Sequence, residues 1–157
     1  MNRVFGILFM VIGCAVVSTI SAQEKKLERA DLPAAVEKTV AKESVGATIK
    51  GFSTEKEDGV RTYEMELVID GLSKDIAMDA QGNILETEQE VAMSSLSDAV
   101  KAGLTAAAGA GTITKVEALW KKDVLVLYEA AVTTGKKHSE IQVGVDGKKI
   151  AKQKEKD

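Results

Sequence analysis

The sequence predicts an α+β protein built as a tandem repeat, in which each copy is one helix followed by a four-stranded antiparallel sheet. Three observations support this fold class. Apolar residues recur at helical spacing in 32–40 and 96–104, and apolar and polar residues alternate from Tyr63 to Ile69. The first half of the chain also matches the second half at an offset of 64 to 65 residues. The copies are predicted to span 31–92 and 95–154.

The repeat rests on a long alignment with one inserted residue. Segment 32–36 (LPAAV) aligns with 96–100 (LSDAV), Tyr63-Glu64 aligns with Tyr128-Glu129, and Gly82 aligns with Gly147. The alignment leaves open whether the copies join edge to edge into one longer sheet or simply pack together.

Each copy begins with a helix. Asp31 is a suitable N-cap for the first helix, and Pro33 falls in the first turn, where the missing N–H costs nothing. Ser95 is the corresponding start of the second helix, which ends near Gly109.

Strands with a period of two follow each helix. Ile76 to Ala80 and Ile84 to Val91 form strands on either side of a hairpin turn at Gly82, and the equivalent turn contains Gly147. Glu86, Glu88 and Glu90 share one face of their strand. Carboxylates spaced in this way are typical of a solvated face, and a patch that binds cations is the alternative.

The first 22 residues have the three parts of a secretory signal peptide. A basic start at Arg3 precedes an apolar run from Val4 to Val17, and small residues lead to a cleavage site after Ala22. The run is too short for a stable membrane span. The predicted location is periplasmic or secreted, with a lipoprotein anchored through Cys14 as the alternative.

Four motifs resemble the PepSY-like family of small secreted or periplasmic bacterial domains, which is related in fold to beta-lactamase inhibitory protein. They are segments 32–36 (LPAAV), 63–66 (YEME), 79–85 (DAQGNIL) and 145–150 (VDGKKI). The resemblance covers 31–154 as two copies, although the second copy has Ser97 in place of Pro and Gly103 within its helix. It implies a domain without known catalysis that binds or inhibits proteins, peptidases included.

The residue types needed for most catalysis are scarce. The chain has one His and one Cys, so it offers no metal set of the His and Cys type and no catalytic triad. His138 is predicted to be a solvated turn residue beside Ser139. We therefore expect no enzyme, no catalytic residues, no cofactor and no metal.

Charge differs between the two copies. Residues 32–91 contain thirteen acidic and six basic residues, whereas 96–157 contain eight acidic and eleven basic residues. This asymmetry would let the halves attract one another, within one chain or between chains. The overall negative charge disfavours nucleic acid as a partner.

The second copy has more apolar surface than a one-sided sheet can hide. The alternation places Leu119, Leu125 and Leu127 on one face and Trp120 on the other, and all four are candidate protein contacts. The function favoured by the sequence is a non-enzymatic binding module that inhibits or sequesters an unknown protein, peptide or peptidase through an open sheet face. The alternative is a structural envelope protein that self-associates through its acidic and basic copies.

Overall fold

The computed structural model describes residues 24–57 and 59–150. The predicted signal peptide, including Cys14, lies outside the described residues. The elements, in chain order, are β1 (Lys25–Leu27), α1 (Ala34–Glu43), β2 (Thr48–Glu57), β3 (Val60–Ile69), β4 (Leu72–Asp79), β5 (Ile84–Glu90), α2 (Asp98–Ala108), β6 (Thr112–Lys121), β7 (Val124–Thr134), β8 (Lys137–Gly144) and β9 (Lys149–Ile150).

All nine strands form one antiparallel sheet in which each strand pairs with its neighbours in sequence, from β1 to β9. The predicted fold class, a tandem repeat of a helix plus a four-stranded sheet, is therefore wrong. β5 pairs with β6 from Glu86–Lys121 to Glu90–Glu117, which makes the sheet continuous across the expected boundary. This pairing removes two exposed strand edges, whose unpaired N–H and C=O groups now form hydrogen bonds. Alternation of residues within a single strand does not indicate which strand will pair with it.

Both helices lie on the same face of this sheet. Val36 and Val40 of α1 pack in one apolar cluster with Met65 and Ile76, among others. Val100 and Leu104 of α2 pack in a second cluster, which includes Val116, Ala130 and Val143. Residues that pair across two strands lie on the same face of the sheet. Ile76 packs against α1 and pairs with Thr87, which in turn pairs with Trp120, so Trp120 in β6 lies on the same face as α1. Trp120 shares that face with Val116, so α2 covers the same side as α1.

Each helix contacts the backbone of a hairpin turn through a glycine. A Cβ added to Gly82 would lie 2.3 Å from the carbonyl oxygen of Ala35, and one added to Gly147 would lie 2.1 Å from that of Ala99. Both turn glycines have a positive φ, as their turns predict. In α2 the approach is reciprocal, because a Cβ on Gly103 would lie 1.9 Å from the carbonyl oxygen of Gly147. The absence of a side chain at Gly103 therefore allows α2 and the turn to approach this closely.

The predicted helices and strands are confirmed, although the helix starts differ. Pro33 is the residue that precedes α1, while Asp31 ends a short 3₁₀ helix. Ser97, and not Ser95, caps α2, because its Oγ accepts a hydrogen bond from the N–H of Val100 at 3.3 Å.

Candidate functional site

The face of the sheet opposite the helices, here called the open face, carries most of the unusual chemistry. Cross-strand pairing arranges its side chains in rows across the sheet. One row runs Glu64, Ala77, Glu86, Lys121; the next runs Glu66, Asp75, Glu88, Leu119, Leu127; and the third runs Glu90, Glu117, Glu129, Gln142. Carboxylates from β3 to β7 therefore meet near the middle of the sheet.

Three of these carboxylates are buried, although no helix of the described chain covers them. Glu86, Glu88 and Glu117 are 4%, 8% and 5% exposed. The interpretation of Glu86 and Glu88 as solvated residues is therefore wrong. The sequence showed that they share a face, but it could not show that β6 brings Glu117 and Leu119 alongside them.

Only part of this negative charge is compensated by nearby partners. Nζ of Lys121 lies 3.2 Å from Oε2 of Glu86, and Nζ of Lys115 lies 2.7 Å from Oε1 of Glu117. Glu88 makes no hydrogen bond or ion pair with any described residue. Oε1 of Glu86 is also buried without a hydrogen-bond partner in this part of the chain.

Burial changes the acidity of this group. Burial, followed by the charge of Glu86, raises the pKa of Glu88 to about 9. Burial also raises the pKa of Glu64 to about 7, with help from Asp75, and that of Asp75 to about 6, with help from Glu117. The open face therefore binds protons at neutral pH that ordinary carboxylates would have lost.

A small cavity of about 10 Å³ lies among these side chains, and its lining residues are Glu64, Asp75, Ala77, Glu86 and Glu88. That volume holds one water-sized occupant. One carboxylate oxygen from each of Asp75, Glu88 and Glu117 lies within 4.8 Å of the others. The sequence missed this group because its members come from three strands that are far apart in the chain.

The four apolar candidates do not form one patch. Leu119 pairs with Leu127 on the open face, but Trp120 pairs with Leu125 because the register shifts at Val126. Trp120 and Leu125 therefore lie on the helix side of the sheet, so the prediction that Leu125 and Leu127 share a face is wrong. Leu119 is buried at 7% exposure, and Leu127 is half-buried.

The single histidine lies away from this face. His138 is exposed on the β7–β8 hairpin, where its Nδ1 lies 3.1 Å from Oγ1 of Thr133. Its exposure confirms the prediction of a solvated residue, but it lies in β8 beside the turn and not in the turn itself.

Among the residues that the structure describes, no helix is long and apolar enough to cross a membrane.

The fold has relatives among solved structures. A DUF2874 family protein from Bacteroides ovatus superposes with a TM-score of 0.61 at 14% identity, over 76% of this chain and 85% of that one. A protein from Bacteroides eggerthii that is described as periplasmic superposes with a TM-score of 0.64 at 13% identity, over 78% of this chain and 88% of that one. A BLIP-like protein from Bacteroides fragilis gives 0.55 at 24% identity, over 74% and 82%.

These similarities establish a BLIP-like fold. No family model matches the chain, and no curated protein matches it by sequence. The PepSY-like resemblance therefore stays a prediction.

Proposed function

We propose that this protein is a non-enzymatic binding module of the periplasm that receives a basic segment of a protein or peptide on its open face. The observation that carries the proposal is the concentration of carboxylates in the middle of a sheet face that no described helix covers. The signal-like sequence of residues 1–22 and the periplasmic description of a structural neighbour support the location.

The open face offers two kinds of contact to such a partner. Glu66 is exposed, so its carboxylate is available to a lysine or arginine side chain. Glu90 is half-buried, and its Oε2 already accepts hydrogen bonds from the N–H and Oγ of Ser73, which leaves its other oxygen for a partner. Leu127 provides a half-buried apolar contact beside them. Leu127 is the proposed apolar contact, with the buried Leu119 packed beside it, whereas Trp120 and Leu125 lie on the helix side of the sheet.

The proposal is tested by capturing a partner from native envelope extract and then measuring its affinity by calorimetry. Glu66→Lys should weaken binding about tenfold, and the loss should shrink in high salt because the contact is ionic. Leu127→Asp should also weaken binding. Asp98→Lys is the matched control, because Asp98 is an exposed acid at the start of α2, on the helix side.

If Glu66→Lys and Leu127→Asp bind the partner no more weakly than Asp98→Lys does, the open face is not the binding surface. If a captured partner is an enzyme, its activity with and without the bound module distinguishes inhibition from sequestration. Self-association through opposite charges predicts oligomers that dissociate in high salt, which sedimentation measures directly.

A further inference from the structure

We infer that Asp75, Glu88 and Glu117 bind a hard divalent cation, with Ca²⁺ as the preferred ion, in the middle of the open face. These residues lie on the adjacent strands β4, β5 and β6, and one oxygen of each lies within 4.8 Å of the others. Ca²⁺ binds oxygen at about 2.3–2.6 Å, so two oxygens on one ion lie at most about 5 Å apart. The spacing therefore fits a single ion.

A fourth carboxylate gives independent support for a ligand at this position. Glu86 is 4% exposed and its Oε1 has no hydrogen-bond partner among the described residues, yet it lines the same cavity as Asp75 and Glu88. A buried polar atom without a partner is costly. A cation held by Asp75, Glu88 and Glu117 would bring positive charge to the cavity that Glu86 lines.

The lysines nearby are already engaged. Lys121 pairs with the other oxygen of Glu86, and Lys115 pairs with Glu117. In the described chain neither Asp75 nor Glu88 forms an ion pair within 4 Å. No described lysine therefore competes with a cation for these two carboxylates.

The ligand atoms decide the class of ion. All of them are carboxylate oxygens, which favour Ca²⁺ and Mg²⁺ over zinc or copper. Ca²⁺ accepts an irregular set of six to eight oxygens, whereas Mg²⁺ demands a near-ideal octahedron. Side chains that project from one flat face fit the first requirement better, with water completing the coordination.

The inference does not depend on the proposed binding function, because the ion is measured without a partner. A bound ion would add two positive charges to the open face. It would then weaken binding of a basic segment, so the ion would act as a regulator of the same surface.

The test is a calorimetric titration of the metal-stripped protein with CaCl₂, MgCl₂ and ZnCl₂, together with thermal unfolding in each ion. We expect Ca²⁺ to bind with a Kd of about 10⁻⁵ to 10⁻³ M and to raise the Tm. Glu88→Gln and Asp75→Asn should each weaken Ca²⁺ binding at least tenfold. Asp98→Asn is the matched control, because it removes the same charge from an exposed position on the helix side, and its Kd should stay within about twofold.

Three results would overturn the inference: no heat or Tm shift with up to about 10 mM Ca²⁺, unchanged affinity in Glu88→Gln, or an equal loss in Asp98→Asn. The last result would indicate general attraction to an acidic surface. Partner binding measured in Ca²⁺ and in EDTA separates the two proposals, because equal affinity in both would refute only the regulation of this surface by the ion.

Discussion

Gly103→Ala reverses a general rule about helices, and its sign tests the packing of α2 against the sheet. Alanine in place of glycine inside a helix usually raises the free energy of unfolding by about 1 kcal/mol. Here the new Cβ would lie 1.9 Å from the carbonyl oxygen of Gly147, a backbone atom of the β8–β9 turn. Helix and turn must therefore separate by more than 1 Å, which loosens the packing of Val100 and Leu104.

The net effect follows from two opposing contributions. Overpacking of this kind costs about 1–3 kcal/mol, and the short distance places the cost at the upper end. Subtracting the helix-propensity gain leaves a net loss of about 2 kcal/mol in the free energy of unfolding. If α2 and the turn were not in close contact, the substitution would raise the free energy of unfolding by about 1 kcal/mol. The presence and the absence of the contact therefore predict effects of opposite sign.

Urea unfolding followed by circular dichroism measures this difference. Ala102→Gly is the matched control, because Ala102 is an exposed neighbour in α2 and reports helix propensity alone, with an expected loss of about 1 kcal/mol. Stabilisation by Gly103→Ala, with an unchanged urea dependence, would refute the close contact between α2 and the turn.

Two further predictions concern the first helix and the acidic group. Oγ1 of Thr39 donates a hydrogen bond of 2.7 Å to the carbonyl oxygen of Gly82, so Thr39→Val should cost about 1 kcal/mol in urea unfolding. Thr105→Val should change stability by less than about 0.5 kcal/mol, because its hydroxyl bonds within its own exposed helix; equal losses would contradict the first expectation. Burial raises the pKa of Glu88 from 4.5 to about 9, with further contributions from the charges of Glu86, Glu117, Glu129 and Asp75. In the protein without metal, the contribution of Glu88 to the free energy of unfolding is therefore complete below pH 4.5. It is lost as the pH rises towards 9. Glu88→Gln should therefore gain about 3 kcal/mol relative to the natural protein between pH 4.5 and pH 7, and parallel unfolding curves across that range would contradict the raised pKa.

Local patterns determined the elements correctly because the forces behind them are local. Helical spacing in 32–40 predicted α1, and alternation from Tyr63 to Ile69 predicted β3. Gly82 and Gly147 were identified as turn residues because only glycine readily takes a positive φ there.

Pairing between distant segments could not be predicted in the same way. The register shift at Val126 moved Leu125 to the helix side, and no residue type in that strand signals it. The close contact between α2 and Gly147 explains why glycine occupies position 103, which the helix sequence alone did not show.

The sequence by itself determined where helices, strands and turns form, and that one histidine and one cysteine are all the chain contains of those residue types. Only the tertiary structure decided that β5 pairs with β6 in one nine-stranded sheet. That pairing brings Glu117 next to Glu88 and Asp75, which converts a row of apparently solvated acids into a buried group. The reason is physical: alternation fixes the face on which a side chain lies, but its burial and charge environment depend on the strands placed beside it.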